Sequence, residues 1–98
     1  MKAKQILREA QVQVDDREDK YGPPDKMLER FSEIISLVLD YHVTPQQAGI
    51  ILIGLKLTRL IETPDHYDSI VDVAGYAGVL GESTKSQKNE SIERPSEG

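Results

Sequence analysis

Cysteine and tryptophan are absent from this chain of 98 residues, and phenylalanine occurs once. The lack of cysteine excludes disulfides and thiolate-held metal centres, and makes a reducing cytoplasm the expected compartment. Two histidines, His42 and His66, are too few and too scattered for a histidine-rich metal centre, and no catalytic role is expected of either. No apolar run approaches the roughly 20 residues of a membrane span, and the N-terminal MKAKQILREAQVQVDD lacks the apolar core of a signal peptide, so a soluble protein is expected. Excess positive charge is missing as well. Twelve basic against 17 acidic residues give a net charge of −5, which argues against general DNA or RNA binding through phosphate neutralisation and leaves room only for a local basic pocket. The chain also contains no GxxxxGK[ST] phosphate loop, no GxGxxG following a strand and no nucleophile motif.

What the chain does have is helical periodicity. The segment Thr44 to Glu62, TPQQAGIILIGLKLTRLIE, is the most apolar stretch, and three signals mark its start: Thr44 as cap, Pro45 at the first helical position, and Gln47 completing a capping box. At about 100° per residue its apolar side chains spread around most of the circumference, which predicts a central helix buried by other helices or by a second subunit. A first helix is expected from Ala3 to about Arg17, with Ile6, Leu7, Ala10 and Val14 in one sector, ending in the charged stretch Asp15 to Lys20. Tyr21-Gly22-Pro23-Pro24 then reads as a shaped loop. Asp25 is expected to cap a second helix to about Asp40, whose core face would hold Met27, Leu28, Phe31, Ile34, Ile35, Val38 and Leu39.

Thr63-Pro64-Asp65 repeats the punctuation of Thr44-Pro45 and predicts a fourth helix from about His66 to Leu80, with Ile70, Val73, Ala74, Ala77 and Leu80 inward and Gly81 as the stop. Gly75 and Gly78 weaken that helix intrinsically and suggest close backbone approach. The remainder is polar and reads as a disordered tail. The prediction is therefore an all-α, four-helix bundle-like single domain over residues 1–82 with a disordered tail over residues 83–98. Roughly 80 ordered residues are marginal for a single core, which points to a homo-oligomer, a dimer at minimum.

Two charged groups stand out. Lys56 and Arg59 lie three apart on the central helix, and Asp68 and Asp72 lie four apart on the fourth. The basic pair could meet phosphate, and the acidic pair could hold Mg²⁺, an ion that takes oxygen ligands and bridges to phosphates. The plainer alternatives are an ion-pair network joining the two helices, and aspartates that merely favour a helix N-terminus on a solvated face. Tyr21 and Tyr76 are candidates to stack on a base. Glu29 and Glu33 fall on the outward side of the second helix by the same angular count.

Taken in order, Tyr21-Gly22, Leu55-Lys56-x-x-Arg59-Leu60 and Asp68-x-x-x-Asp72-x-x-Gly75-Tyr76-Ala77 resemble a family of small phage and prophage proteins of unknown function, over about Tyr21 to Glu82. That family in turn is distantly similar to nucleotide-modification-associated domains and to MazG-like all-α nucleotide pyrophosphohydrolases. The resemblance implies an oligomeric helical protein of the host cytoplasm that binds a nucleotide or other phosphate ligand: Lys56 and Arg59 would face the phosphates, and Asp68 and Asp72 would match the acidic, Mg²⁺-holding helix. Where those enzymes carry an ExxE pair on an earlier helix, this chain has Glu29 and Glu33 four apart, which favours binding over hydrolysis. The rival class is a non-enzymatic phage protein that uses its acidic surface to inhibit or sequester a host factor.

Overall fold

A computed structural model of the chain describes residues 1–87, with side chains described through residue 83. Four helices follow one another: α1 (Ala3–Tyr21), α2 (Pro24–Leu39), α3 (Pro45–Glu62) and α4 (Tyr67–Gln87). Among the described residues there is no strand, so the all-α expectation holds.

The boundaries show which local chemistry prevails. α1 does not end in its charged stretch but runs through it to Tyr21. Solvated charges one turn apart support a helix, as Asp16 and Lys20 do at 3.5 Å, and the chain turns only at Gly22, whose φ of +92° lies where side chains are strained. The Gly22 amide donates to the Glu18 carbonyl and closes the helix. α2 is capped by Pro23, not by Asp25: Pro24 takes the first helical position, where its missing N–H is no loss, and Asp25 sits within the first turn beside the positive end of the dipole.

α2 closes on Asp40 in the left-handed conformation (φ 55°), with the Ser36 carbonyl accepting from the Asp40 and Tyr41 amides. The Ser36 hydroxyl also accepts from the Val43 amide at 2.8 Å. That one side chain therefore fixes the link that turns α2 back alongside α3. The start of α3 is as expected, with Thr44 Oγ1 accepting from the Gln47 amide at 3.1 Å and Gln47 Oε1 accepting from the Thr44 amide at 2.9 Å. α4 starts close to where it is expected and ends later. It begins at Tyr67, capped by His66, whose Nδ1 accepts from the Ser69 amide at 3.3 Å and lies 2.8 Å from Ser69 Oγ. Thr63-Pro64 forms the preceding turn. At the other end α4 passes through Gly81 to Gln87, so the first residues of the expected tail are helical and residues 88–98 lie outside those described.

The packing centre is α4. It touches each of the other helices, α3 most extensively, while α1 and α3 do not meet. It can be surrounded because its inward residues are small: Ser69 and Val71 are almost fully buried, Val79 nearly so, and at Gly75 an added Cβ would lie 3.6 Å from Val14 Cγ2. Gly75 thus marks the close approach to α1, whereas an added Cβ at Gly78 meets nothing within 4 Å. α3, expected to be covered all round, buries only Ala48 and Gly49. Gly49 sits where three helices converge, its Cβ position 3.1 Å from Leu80 Cδ1 and 3.4 Å from Leu28 Cδ1. Of the core face expected on α2, Leu28 is buried and Met27, Phe31 and Ile35 are half-buried, but Ile34, Val38 and Leu39 are exposed. A helix hairpin shielded by α4 from one side leaves its other side uncovered.

A candidate ligand cleft between the first, second and fourth helices

Where α1 ends and α2 begins, the chain leaves a cleft of about 400 Å³ against the middle of α4. α1 supplies Gln13, Val14, Arg17, Glu18 and Tyr21, residues three and four apart that form a single face of its last turns. From α2 come Pro24, Met27 and Arg30, spaced by three along one stripe. The far wall is α4, with Val71, Asp72, Gly75, Tyr76 and Val79. The floor is mostly hydrocarbon, and Gly75 keeps it open by bringing no side chain.

The polar groups of the cleft are unevenly committed. Asp72 Oδ2 lies 3.0 Å from Lys56 Nζ, the two side chains 20% and 25% exposed, so the ammonium reaches from α3 to neutralise a carboxylate in the cleft wall. Arg17 and Arg30 are exposed, and among the described residues neither forms an ion pair. Two arginines and two carboxylates, Glu18 and Asp72, thus line the cleft, and one of the carboxylates is already paired. In a chain of net charge −5 this is a locally cationic balance. An arginine fork presents paired donors to carboxylate or phosphate, and tyrosine rings offer flat apolar faces with a polar tip.

Of the residues singled out in the sequence, Tyr21, Tyr76 and Asp72 line this one cleft, and Lys56 joins it through Asp72. Arg59 and Asp68 do not line it. Both are exposed, and among the described residues neither has an ion-pair partner. Of the ion-pair network that is the plainer alternative for these charges, one α3–α4 pair is present among the described residues. No group of three or more Asp, Glu, His or Cys placed to hold a metal ion occurs among the described residues. Glu29 and Glu33 line a separate, more open depression with Ser36, Asp40 and His42 near the α2–α3 link. His66 is a helix cap. Arg17 and Arg30 are the functional candidates that the sequence reading missed, and their signal was present: Arg17 stands one helical turn before Tyr21, and Arg30 continues the stripe of Pro24 and Met27.

No solved structure matches the chain. No helix among the described residues is long and apolar enough to cross a membrane. The chain is similar to two phage proteins. It is 49% identical to the Gene 55 protein of Mycobacterium phage L5 over 37 residues, which cover 38% of this chain and 24% of that protein. It is 32% identical to the Gene 55 protein of Mycobacterium phage D29 over 76 residues, which cover 76% of this chain and 50% of that protein. The chain thus spans half or less of the length of these relatives, and the resemblance to phage proteins of unknown function is met at that level. The model of a domain of unknown function, DUF6378, matches residues 5–84, nearly the whole of the four helices, and the chain belongs to that family.

Proposed function

We propose that the protein binds a nucleotide or a related aromatic phosphate in the cleft between α1, α2 and α4. The observation that carries this reading is the convergence of Tyr21 and Tyr76 with Arg17 and Arg30, two arginines that form no ion pair among the described residues, around one mostly apolar space of about 400 Å³. That size suits a single small ligand of this class. A base would lie against the tyrosines and the hydrocarbon of Met27 and Val79, with the phosphates toward the guanidinium groups. Lys56 holds the Asp72 carboxylate in the wall, where it can accept from a base edge or sugar hydroxyl. Similarity to phage proteins supports a site of action in the cytoplasm of an infected host.

Mg²⁺ is part of the proposal in a limited form. Asp72 lines the cleft and would be its one protein ligand there, Asp68 on the preceding turn of α4 lying outside the lining, and the remaining oxygens would come from the ligand's phosphates and water. Asp72 is engaged by Lys56, Asp68 is exposed, and no third acid or histidine joins them among the described residues. This donor set supports a metal ion that arrives with the phosphates better than a preformed hydrolytic centre, so binding is better supported than MazG-like pyrophosphate cleavage.

The test is calorimetric titration with nucleoside mono-, di- and triphosphates, with and without Mg²⁺, of the wild type and of Arg17→Ala/Arg30→Ala. Saturable heat with the wild type, lost in the double variant at unchanged helicity, is expected. Silence across the whole series would end the proposal, and heat that survives in the double variant would move the site out of this cleft.

A further inference from the structure

The α2–α3 hairpin carries ten large apolar residues that the packing of the chain leaves exposed, with exposures from 45% to 81%. On α3 the residues Ile50, Gly54, Leu57 and Ile61 follow one another at spacings of four, three and four, the spacing of a seam that packs along another helix. Ile50, Leu57 and Ile61 are 59%, 46% and 78% exposed. On α2, Ile34 and Leu37 lead in the same rhythm to Tyr41 at the start of the link, exposed by 59%, 81% and 73%.

Gly54 is the second observation. A glycine in the middle of a helix sacrifices backbone entropy, and here nothing within the chain requires it, since an added Cβ meets no atom within 4 Å. Gly49 and Gly75 each answer to a neighbouring helix, whereas Gly54, like Gly78 and Gly81 on α4, answers to none among the described residues, and of these three Gly54 is the one set on the exposed stripe, between Ile50 and Leu57.

We propose that this face seats the same face of a second copy of the chain, with α3 crossing its counterpart close to Gly54. The area is of the right order: seven of these side chains, Ile34, Leu37, Val38, Tyr41, Ile50, Leu57 and Ile61, share the two stripes and, on the order of 100 Å² each, offer about 700 Å², near the roughly 800 Å² per partner of a standard interface. The face is also compatible with itself. No charged residue occurs from Ile34 to Leu39 or from Pro45 to Leu55, so two copies related by a twofold axis bring no like charges together along these stretches. A helix pair meeting at a glycine can approach closely and interdigitate the flanking isoleucine and leucine side chains. The ligand cleft lies against α1, α2 and α4, and it needs no residue from a second copy to be complete.

Sedimentation velocity across the micromolar range, with circular dichroism on the same samples, tests the interface. The wild type is expected at twice the 11.0 kDa of one chain. Ile50→Glu, at a position exposed in the single chain, should give a helical species of one chain mass. Gly54→Ala separates the interface from the fold: within one chain it removes a helix weakener and meets nothing, whereas at a crossing it holds the partner helix away and should weaken association at least tenfold. A wild type that sediments as one chain throughout would overturn the proposal and leave the face to a different protein. So would a dimer that Gly54→Ala leaves equally tight.

Discussion

Neutralising Asp72 tests the reading of the cleft wall most directly, because two roles assigned to that carboxylate give opposite results. At 3.0 Å from Lys56 Nζ, with an effective dielectric of about 20, the gross attraction is about 5–6 kcal/mol. Most of this is offset, since both side chains are about three-quarters covered and have given up much of their hydration. Exposed ion pairs contribute at most about 1 kcal/mol, and removing one partner of a fully buried pair costs about 3–5 kcal/mol. The intermediate exposure of this pair puts Asp72→Asn at about 2 kcal/mol of lost stability, or roughly 10 °C in the unfolding midpoint of a domain this size. A double-mutant cycle with Lys56→Met isolates the pair, and a coupling of about 1–2 kcal/mol is expected. The midpoints must be compared at one protein concentration, because association would itself shift them. Had Asp72 been held chiefly against the like charge of Asp68, as in a metal-binding acidic pair, neutralising it would leave stability level or raise it. A midpoint that does not fall, or a coupling near zero, would refute the ion-pair account.

Other substitutions probe the framework. Ser36→Ala leaves the Val43 amide without its acceptor and should cost about 1–2 kcal/mol by chemical denaturation, a figure that an unchanged denaturation midpoint would contradict. Ser83 is 1% exposed and its hydroxyl has no hydrogen-bond partner among the described residues, so Ser83→Ala should raise stability by up to about 1 kcal/mol; a loss would reveal a partner. At Gly75 a graded response is expected in thermal melts. Gly75→Ala makes ordinary contact with Val14 and adds helix propensity, stabilising by about 0.5–1 kcal/mol, whereas Gly75→Leu forces α1 away and destabilises by about 1–3 kcal/mol. Arg59→Ala should change the midpoint by an amount equivalent to no more than about 0.5 kcal/mol, in contrast to Lys56→Ala, because Arg59 is exposed and unpaired among the described residues.

How far the fold and the cleft could be read in advance depended on whether the deciding interaction was local. The capping box of α3 is a matter of four consecutive residues, and it is where the sequence places it. The Lys56–Asp72 pair required only two helical faces to be set against each other, and one of the two anticipated basic residues is indeed seated on one of the two acids. The cleft was half legible. Tyr21 and Tyr76 were marked by the turn and the acidic helix beside them, but ending α1 at Arg17 concealed that Arg17 and Tyr21 share a helical face. Charged runs look like helix ends because they are hydrophilic, yet a helix stops where its backbone is made to turn, and here that is Gly22 followed by Pro23.

The larger difference concerns the centre of the molecule. Hydrophobicity pointed to α3, but a helix surrounded by three others must let their backbones come close, and bulky side chains prevent that. α4 meets the requirement with Ser69, Ala74 and Gly75, and so takes the middle although it is the less apolar of the two. Ile50, Ile51, Leu55, Leu57 and Ile61 of α3 are then left exposed, while Leu52, Ile53 and Leu60 are half-buried. Apolar periodicity therefore identified which side chains need cover, while the small residues determined which helix received it from within the chain. The demand left over on α3 is what the proposed second copy would meet, and Gly54, set among the exposed side chains of that helix, is where a helix of that copy could come as close as α1 comes at Gly75.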